Sequence, residues 1–416
     1  MKHIKCIFVF IFIALLSNIS YASDISSSIE SPSAILIHAD TGAILFEKNS
    51  KQRMYPASTT KIMTAILVLE SGHSLNEYVT VSESAINNIP EGYSTAYLKA
   101  GEKFTLEQLL NVLLLPSAND AANVLAEYIS GSIPAFADKM NKKAAELGCI
   151  DTHFVNPSGI HSEDHYSTAF DLSLIGRYAM ENNLFRSFVN KTSCMLPATS
   201  IHPYNNRIFN NSNRLLYSDD IYYYPYAIGI KTGFTTPAGD CLVSASSKNG
   251  LSFIAVILGG KEDENNKSQR YSDTIALFNF GYENYVLHDF NHSGDVICEI
   301  QVENASSDTK NLRLQCDKSI SALINIDEIN LTSPEIFLDE NIHAPIYKGD
   351  ILGKIKYTIL GIKYEANLVA SYDVKVSPFF IYVLKIFLIV LLVVLILLII
   401  FRNKKNDSLK IDNICL

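Results

Sequence analysis

Ser58 and Lys61 stand three positions apart in "YPASTTKIMTAILVLE", residues 55–70, where an apolar helical pattern begins. Residues i and i+3 share a helix face, so the Lys61 amine can reach the Ser58 hydroxyl. A serine hydroxyl is a weak nucleophile until a neighbouring base takes its proton. Lysine can be that base only when neutral, and both burial and a second nearby cation favour the neutral form. A helix start also aims backbone N–H groups at the oxyanion that forms on an attacked carbonyl. The pair predicts acyl transfer through Ser58, with Lys61 kept basic by its apolar neighbours.

Two more short motifs follow in order, Ser117-Ala118-Asn119 and Lys231-Thr232-Gly233. Taken singly all three are weak. Another S-x-x-K runs from Ser307 to Lys310 in a polar stretch, and other S-x-N triplets start at Ser74 and Ser247. Alone, Ser58 reads as a helix cap and Lys231 as a solvated strand residue. Context changes that: the first motif opens a helix, the second falls where Pro116 breaks one, and the third lies on a strand entering a glycine bend. Brought together, Lys231 supplies the second cation that keeps Lys61 neutral.

The elements that must position these residues are legible in outline. "SAILIHADTGAILFEKN" (33–49) reads as two strands around Asp40-Thr41-Gly42. Helical periods follow over 59–69, "TLEQLLNVLLL", "NDAANVLAEYIS" (closed by Gly131), 133–147 and 168–182. Strands return with "AIGIKTGFT", "CLVSASS" and "LSFIAVILGG", and "SQRYSDTIALFNFGYENY" closes the domain as a helix. Strands at both ends with helices between predict an α+β domain with one antiparallel sheet covered by helices. Beyond about residue 290, "DVICEIQV", "LRLQC", "ILGKIKYTI" and "ANLVASY" alternate as a small all-β domain would.

The two ends set the compartment. Residues 1–22 have a basic start, an apolar stretch from Ile7 to Leu16 and small residues ending at Ala22, the pattern of a secretory signal. Phe379 to Phe401 is a continuous apolar run interrupted only by Lys385, followed by Arg402, Lys404 and Lys405. That predicts one transmembrane helix with a cytoplasmic tail at 402–416, holding the rest on the extracytoplasmic face of the membrane. The expected domains are 23–288 and 289–376. A net charge of −9 without a dense basic patch excludes nucleic acid as the main partner. Of seven cysteines, Cys298 and Cys316 lie on neighbouring alternating stretches and could pair. No C-x-x-C occurs, which argues against a thiolate zinc site.

With the three motifs stand the longer stretches "RMYPASTTKIMTAIL", "LLLPSANDAANVLAEYISGS", "GCIDTHFVNPSGI" and "GIKTGFTTPAGDCLVSAS". From about Ser33 to Tyr285 the chain resembles the D-alanyl-D-alanine carboxypeptidases, low-molecular-mass penicillin-binding proteins with a β-lactamase/transpeptidase-like fold. The resemblance implies that Ser58 is acylated, that Lys61 is its base and that Ser117 relays a proton to the departing D-alanine. Asn119 would orient the substrate amide, and Lys231 and Thr232 would bind the terminal carboxylate. Gly233 would let the strand approach the substrate, and the N–H groups of Ser58 and Phe234 would form the oxyanion hole. Substrates would be peptidoglycan stem peptides and β-lactams, with no metal and no cofactor.

Other readings separate on residues. A class A β-lactamase would need a Glu-x-x-Leu-Asn element, and Glu181-Asn182-Asn183-Leu184-Phe185 lacks its asparagine. A Ser-His-Asp hydrolase would need G-x-S-x-G, which is absent. His161 and His165 mimic a metal-binding helix, but Pro157 and Gly159 argue for a loop. "YYYPY" (222–226) reads as packing or a loop beside the site before it reads as a sugar platform. Intact motifs disfavour a catalytically silent wall-binding protein, while transpeptidase and endopeptidase variants of the chemistry stay open.

Overall fold

A computed structural model describes residues 25–411 except 88, 204, 205, 263, 265 and 266, with side chains as far as residue 402. The secretory-signal reading and the side chains of the basic tail lie outside the described residues. The chain divides into two compact units between Asn284 and Tyr285. The expected boundary at 288 was late because a strand, Tyr285–Asn291, already belongs to the second unit.

The first unit is built on one antiparallel sheet. Its strands are β1 (Ser33–His38), β2 (Ile44–Lys48), β3 (Ala227–Thr235), β4 (Gly239–Lys248) and β5 (Leu251–Gly260), in the spatial order β2-β1-β5-β4-β3. The N-terminal hairpin closes as its sequence predicts, with the Gly42 N–H donating to the His38 carbonyl at 2.8 Å. Register sets Leu36 opposite Ala255, Val243 opposite Val256, and Lys231 opposite Val243.

Between the two parts of the sheet run α1 (Lys61–Leu69), α2 (Leu106–Leu114), α3 (Asn119–Ser130), α4 (Ile133–Glu146), α5 (Ala169–Glu181) and α6 (Asn183–Val189); α7 (Gln269–Asn284) ends the unit. Their ends carry local signals. Thr105 and Gln108 form a capping box on α2, Ser132 and Thr168 cap α4 and α5, and Gly131 ends α3 at φ 78°. Gly281 of α7 lies against Phe253 and Leu36, whereas Gly176 of α5 lies against Ile254 and Val243. Phe253 and Ile254 are successive residues of one strand and face opposite ways, so the two helices cover opposite faces of the sheet. That double cover explains why every residue of β1 is buried. Sequence reading missed α6 and two small hairpins, Tyr78–Thr80 with Lys103–Thr105 and Ser193–Leu196 with Arg207–Asn210.

The second unit has β6 (Tyr285–Asn291), β7 (Val296–Gln301), β8 (Asn311–Cys316), β9 (Ile320–Asn325), β10 (Glu335–Leu338), β11 (Ile351–Ile359) and β12 (Ile362–Ala370). They form a five-stranded sheet, β7-β8-β12-β11-β10, and a two-stranded pair of β6 with β9. Cys298 and Cys316 are both free: Cys298 sits opposite Leu314, so the register does not bring the two sulfurs together. The long helix α8 (Pro378–Ile411) follows. Its segment Pro378–Arg402, 25 residues whose most apolar 18-residue stretch has a mean hydropathy of 3.6, is long and apolar enough to cross a membrane.

Candidate active site

Ser58 lies in a single 3-10 turn, Ala57–Thr60, that runs directly into α1. This differs from the expected α-helix start. The Lys61 N–H bonds back to the Ser58 carbonyl, tightening the turn, and Ala57 takes a left-handed φ of 46°. The three-residue spacing still works, and Lys61 Nζ is 2.9 Å from Ser58 Oγ. Lys61 itself is fully buried, as its apolar neighbours predict.

The amine has two other neighbours: Asn119 Oδ1 at 2.7 Å and the Ser158 carbonyl at 2.6 Å. Both can only accept. A neutral amine has two N–H groups and one lone pair, so it donates to these two and turns its lone pair to the Ser58 O–H. The surroundings favour that form. Burial, and then the charge of Lys231, push the Lys61 pKa well below the ordinary lysine value, against the opposing pull of Asp120. Once neutral, Lys61 puts no charge on Lys231. The Lys231 amine is lowered to about 7, by burial first and then by Arg270.

The structure gathers the predicted residues from three distant segments around one cleft of about 410 Å³. Ser58, Ser117, Asn119, Thr232, Gly233 and Phe234 line it, with Ser212 and Arg270. Lys61 and Lys231 lie buried outside that lining. Ser117 sits at the α2–α3 junction with φ 68°, and its hydroxyl is buried with no hydrogen-bond partner. Asn119 starts α3, and its Nδ2 donates to the Ser94 carbonyl at 3.0 Å, so its amide plane is fixed while its second N–H stays uncommitted. Lys231 Nζ makes one bond, to the Thr232 carbonyl at 3.1 Å, and Thr232 Oγ1 meets Ser212 Oγ at 2.5 Å. A Cβ at Gly233 would lie 3.0 Å from both the Pro56 carbonyl oxygen and the Ser58 nitrogen. The close approach that requires this glycine is therefore to the nucleophile's own turn, where it brings the Phe234 segment beside Ser58.

A profile of the D-alanyl-D-alanine carboxypeptidase peptidases matches residues 20–262. The chain belongs to this family. A second profile, the C-terminal domain of penicillin-binding protein 5, matches residues 285–376. D-alanyl-D-alanine carboxypeptidase DacF of Bacillus subtilis is 33% identical over 356 residues, covering 84% of this chain and 87% of the relative. DacA of Haemophilus influenzae is 30% identical over 393 residues, covering 89% and 93%. Among solved structures, D-alanyl-D-alanine carboxypeptidase DacD of Francisella tularensis superposes with a TM-score of 0.63 at 26% identity, over 83% of this chain and 94% of that one.

Sequence reading missed several residues of this carboxypeptidase site. The loop Asn156–Gly159 supplies the Ser158 carbonyl to Lys61, and Asn156 Oδ1 ties the loop together by accepting from the N–H groups of Ser158 (3.1 Å) and Gly159 (2.7 Å). Arg270, read only as part of a closing helix, donates to the Gly233 carbonyl at 3.1 Å and pairs with Asp240 at 3.2 Å. The loop reading of His161 and His165 stands. His165 Nδ1 accepts from the Val155 N–H, its Nε2 donates to Thr60 Oγ1 at 2.8 Å, and burial first of all lowers its pKa to about 3. The ring thus ties the backbone at Val155 to the Ser58 turn at Thr60. Tyr222 stacks on Tyr271 and accepts from the Ser268 N–H, and Tyr224 donates to Asn279, so that cluster is packing. Glu181 ends α5 and does not line the cleft.

Proposed function

We propose that Ser58 is the nucleophile of a serine D-alanyl-D-alanine carboxypeptidase acting on peptidoglycan stem peptides, and that Lys61 is its base. The carrying observation is the environment of Lys61 Nζ: full burial, two acceptors and one hydroxyl. The Ser58 O–H proton passes to Nζ as Oγ bonds to the carbonyl carbon of the penultimate D-alanine. The N–H groups of Ser58 and Phe234 receive the oxyanion. Collapse breaks the C–N bond, and the Ser117 hydroxyl gives its proton to the leaving amine while taking in its place the proton held on Lys61 Nζ, which leaves both groups neutral again. Water then cleaves the ester and frees Ser58. Lys231 and Thr232 take the terminal carboxylate, with Arg270 adding positive charge at the same wall. The free N–H of Asn119 holds the substrate amide. Gly233 keeps the strand close to Ser58. A β-lactam would enter the same cleft, because its carbonyl and carboxylate repeat the substrate's pattern.

We further read residues 1–22 as a secretory signal, the unit up to Asn284 as catalytic, and the unit up to residue 376 as a spacer. Residues 379–401 would form a single membrane span that leaves the catalytic unit on the extracytoplasmic face. A second reading of the same acyl-enzyme is transfer to an amine of another stem. It is favoured by 33% identity, over 61% of this chain, to a Streptomyces structure described as a DD-transpeptidase. Incubating the protein with a pentapeptide muropeptide tests both by mass. Loss of one D-alanine supports hydrolysis, a crosslinked product supports transfer, and neither should occur in Ser58→Ala, which should also fail to bind labelled penicillin covalently.

A further inference from the structure

Tyr97 carries a large aromatic ring that is 72% exposed, on a backbone with a left-handed φ of 55°. Non-glycine residues hold that conformation only where their surroundings impose it. The buried Asp120 carboxylate accepts from the N–H groups on either side, Ala96 at 2.9 Å and Leu98 at 3.0 Å. The Arg207 guanidinium donates to the Tyr97 carbonyl at 2.8 Å and is itself paired, at 2.8 Å, with the fully buried Glu102. Three mostly buried charged groups therefore fix the backbone that presents this ring to solvent. None of the acyl-transfer steps uses these contacts.

The ring borders a groove of about 670 Å³ whose walls include Tyr93, Phe209, Ile89 and Pro116. Tyr93 and Pro116 also line the catalytic cleft, so the groove is a continuation of it. Its walls set the rings of Tyr93, Tyr97 and Phe209 beside the polar Ser94, Thr95 and Glu91. A peptide strand would need a free row of backbone donors and acceptors to pair with, and rigid ring faces do not offer one. A pyranose ring presents a face of C–H groups with hydroxyls around its rim. An aromatic ring that is apolar on its face and wet at its edge matches it.

We infer that the groove formed by Tyr93, Tyr97 and Phe209 is a subsite for an N-acetylhexosamine ring of the glycan that carries the stem peptide cleaved at Ser58. The inference rests on the proposed action of Ser58 on such stems. It makes the glycan part of what the enzyme recognises.

D-alanine release by the full-length protein in detergent is compared on two substrates: a free pentapeptide stem, and the same stem attached to its N-acetylglucosaminyl-N-acetylmuramyl disaccharide. The wild-type protein should prefer the sugar-bearing substrate in kcat/KM by about fivefold, the size of one aromatic contact. Tyr97→Asn removes the ring while tolerating the left-handed backbone. It should abolish the preference and leave the free-stem rate unchanged, whereas Tyr97→Phe should keep the preference. A preference that survives in Tyr97→Asn, or an equal loss on both substrates, overturns the subsite. Tyr97-dependent inhibition by a free tetrapeptide but not by the free disaccharide would assign the groove to peptide and overturn it too. No release from either substrate by the wild type would instead overturn the role of Ser58.

Discussion

A Cβ on residue 159 would lie 1.8 Å from the carbonyl oxygen of Ala57, so Gly159 is the surface against which the nucleophile's turn is packed. Its φ of 80° is a second reason for glycine at this position. The loop that presents the Ser158 carbonyl to Lys61 can approach Ser58 only because this side chain is missing. Gly159→Ala should therefore cost roughly 1–3 kcal/mol of stability and slow acylation by displacing Ser58 from Lys61. Chemical denaturation and labelled-penicillin kinetics check this; unchanged values in both would mean the turn tolerates the shift.

Lys61→Arg should lower the acylation rate by about 10²–10⁴-fold, the contribution expected of a general base. A guanidinium stays charged near neutral pH and offers only donors, so it has no lone pair to turn to Ser58. Stopped-flow acylation by a penicillin provides the measurement. A rate near that of the wild type would remove the lysine base.

The Lys231 pKa of about 7, depressed by burial and then by Arg270, sets a pH dependence for substrate binding. Below that value the amine is a cation that can receive a carboxylate; above it, the free enzyme loses the charge. KM for a peptide ending in D-Ala-D-Ala should rise about tenfold per pH unit above about pH 7. In the unfolded chain the same amine keeps its proton to about pH 10. Between these limits the unfolded state binds more protons, so this group's contribution to stability increases with pH. A KM that stayed flat to about pH 9, or one as steep in Lys231→Met, would show that another cation does the work.

Ending the chain after Ser377 should give a soluble protein with the penicillin-binding rate of the full chain. The β unit does not need the helix to close: the Ser377 N–H bonds to the Asn304 carbonyl at 2.8 Å, and Ala305 bridges Val376. Fractionation checks the result, and a shortened protein that stayed with membranes would contradict a single anchor.

What the sequence made legible was local. Ser58 and Lys61 are one turn apart, Ser117 and Asn119 flank one helix start, and Lys231 to Gly233 run along one strand, so their relations follow from helix and strand geometry. The fold followed from periodicity, with the sheet formed by the chain's early and late parts. What stayed hidden depends on separation in the chain. The Ser158 carbonyl meets an amine 97 residues away, and Arg270 reaches Gly233 across 37. The hairpin Ser193–Leu196 with Arg207–Asn210 leaves the apolar Met195 and Ile208 exposed, so its alternation does not show in residue polarity. Cys298 and Cys316 lie on paired strands, but whether they face one another depends on register, which composition does not report.

The central claim is that Lys61 is neutral when Ser58 reacts, and the pH dependence of Ser58 acylation by a labelled penicillin tests it most directly. An ordinary lysine, with a pKa of about 10.4, would make the rate climb tenfold per unit up to about pH 10. The burial of Lys61, which lowers its pKa well below the ordinary lysine value, predicts a rate that levels off well before that pH. A rate still climbing in proportion to hydroxide above about pH 9 would mean that the amine is charged in the resting enzyme and would contradict the claim.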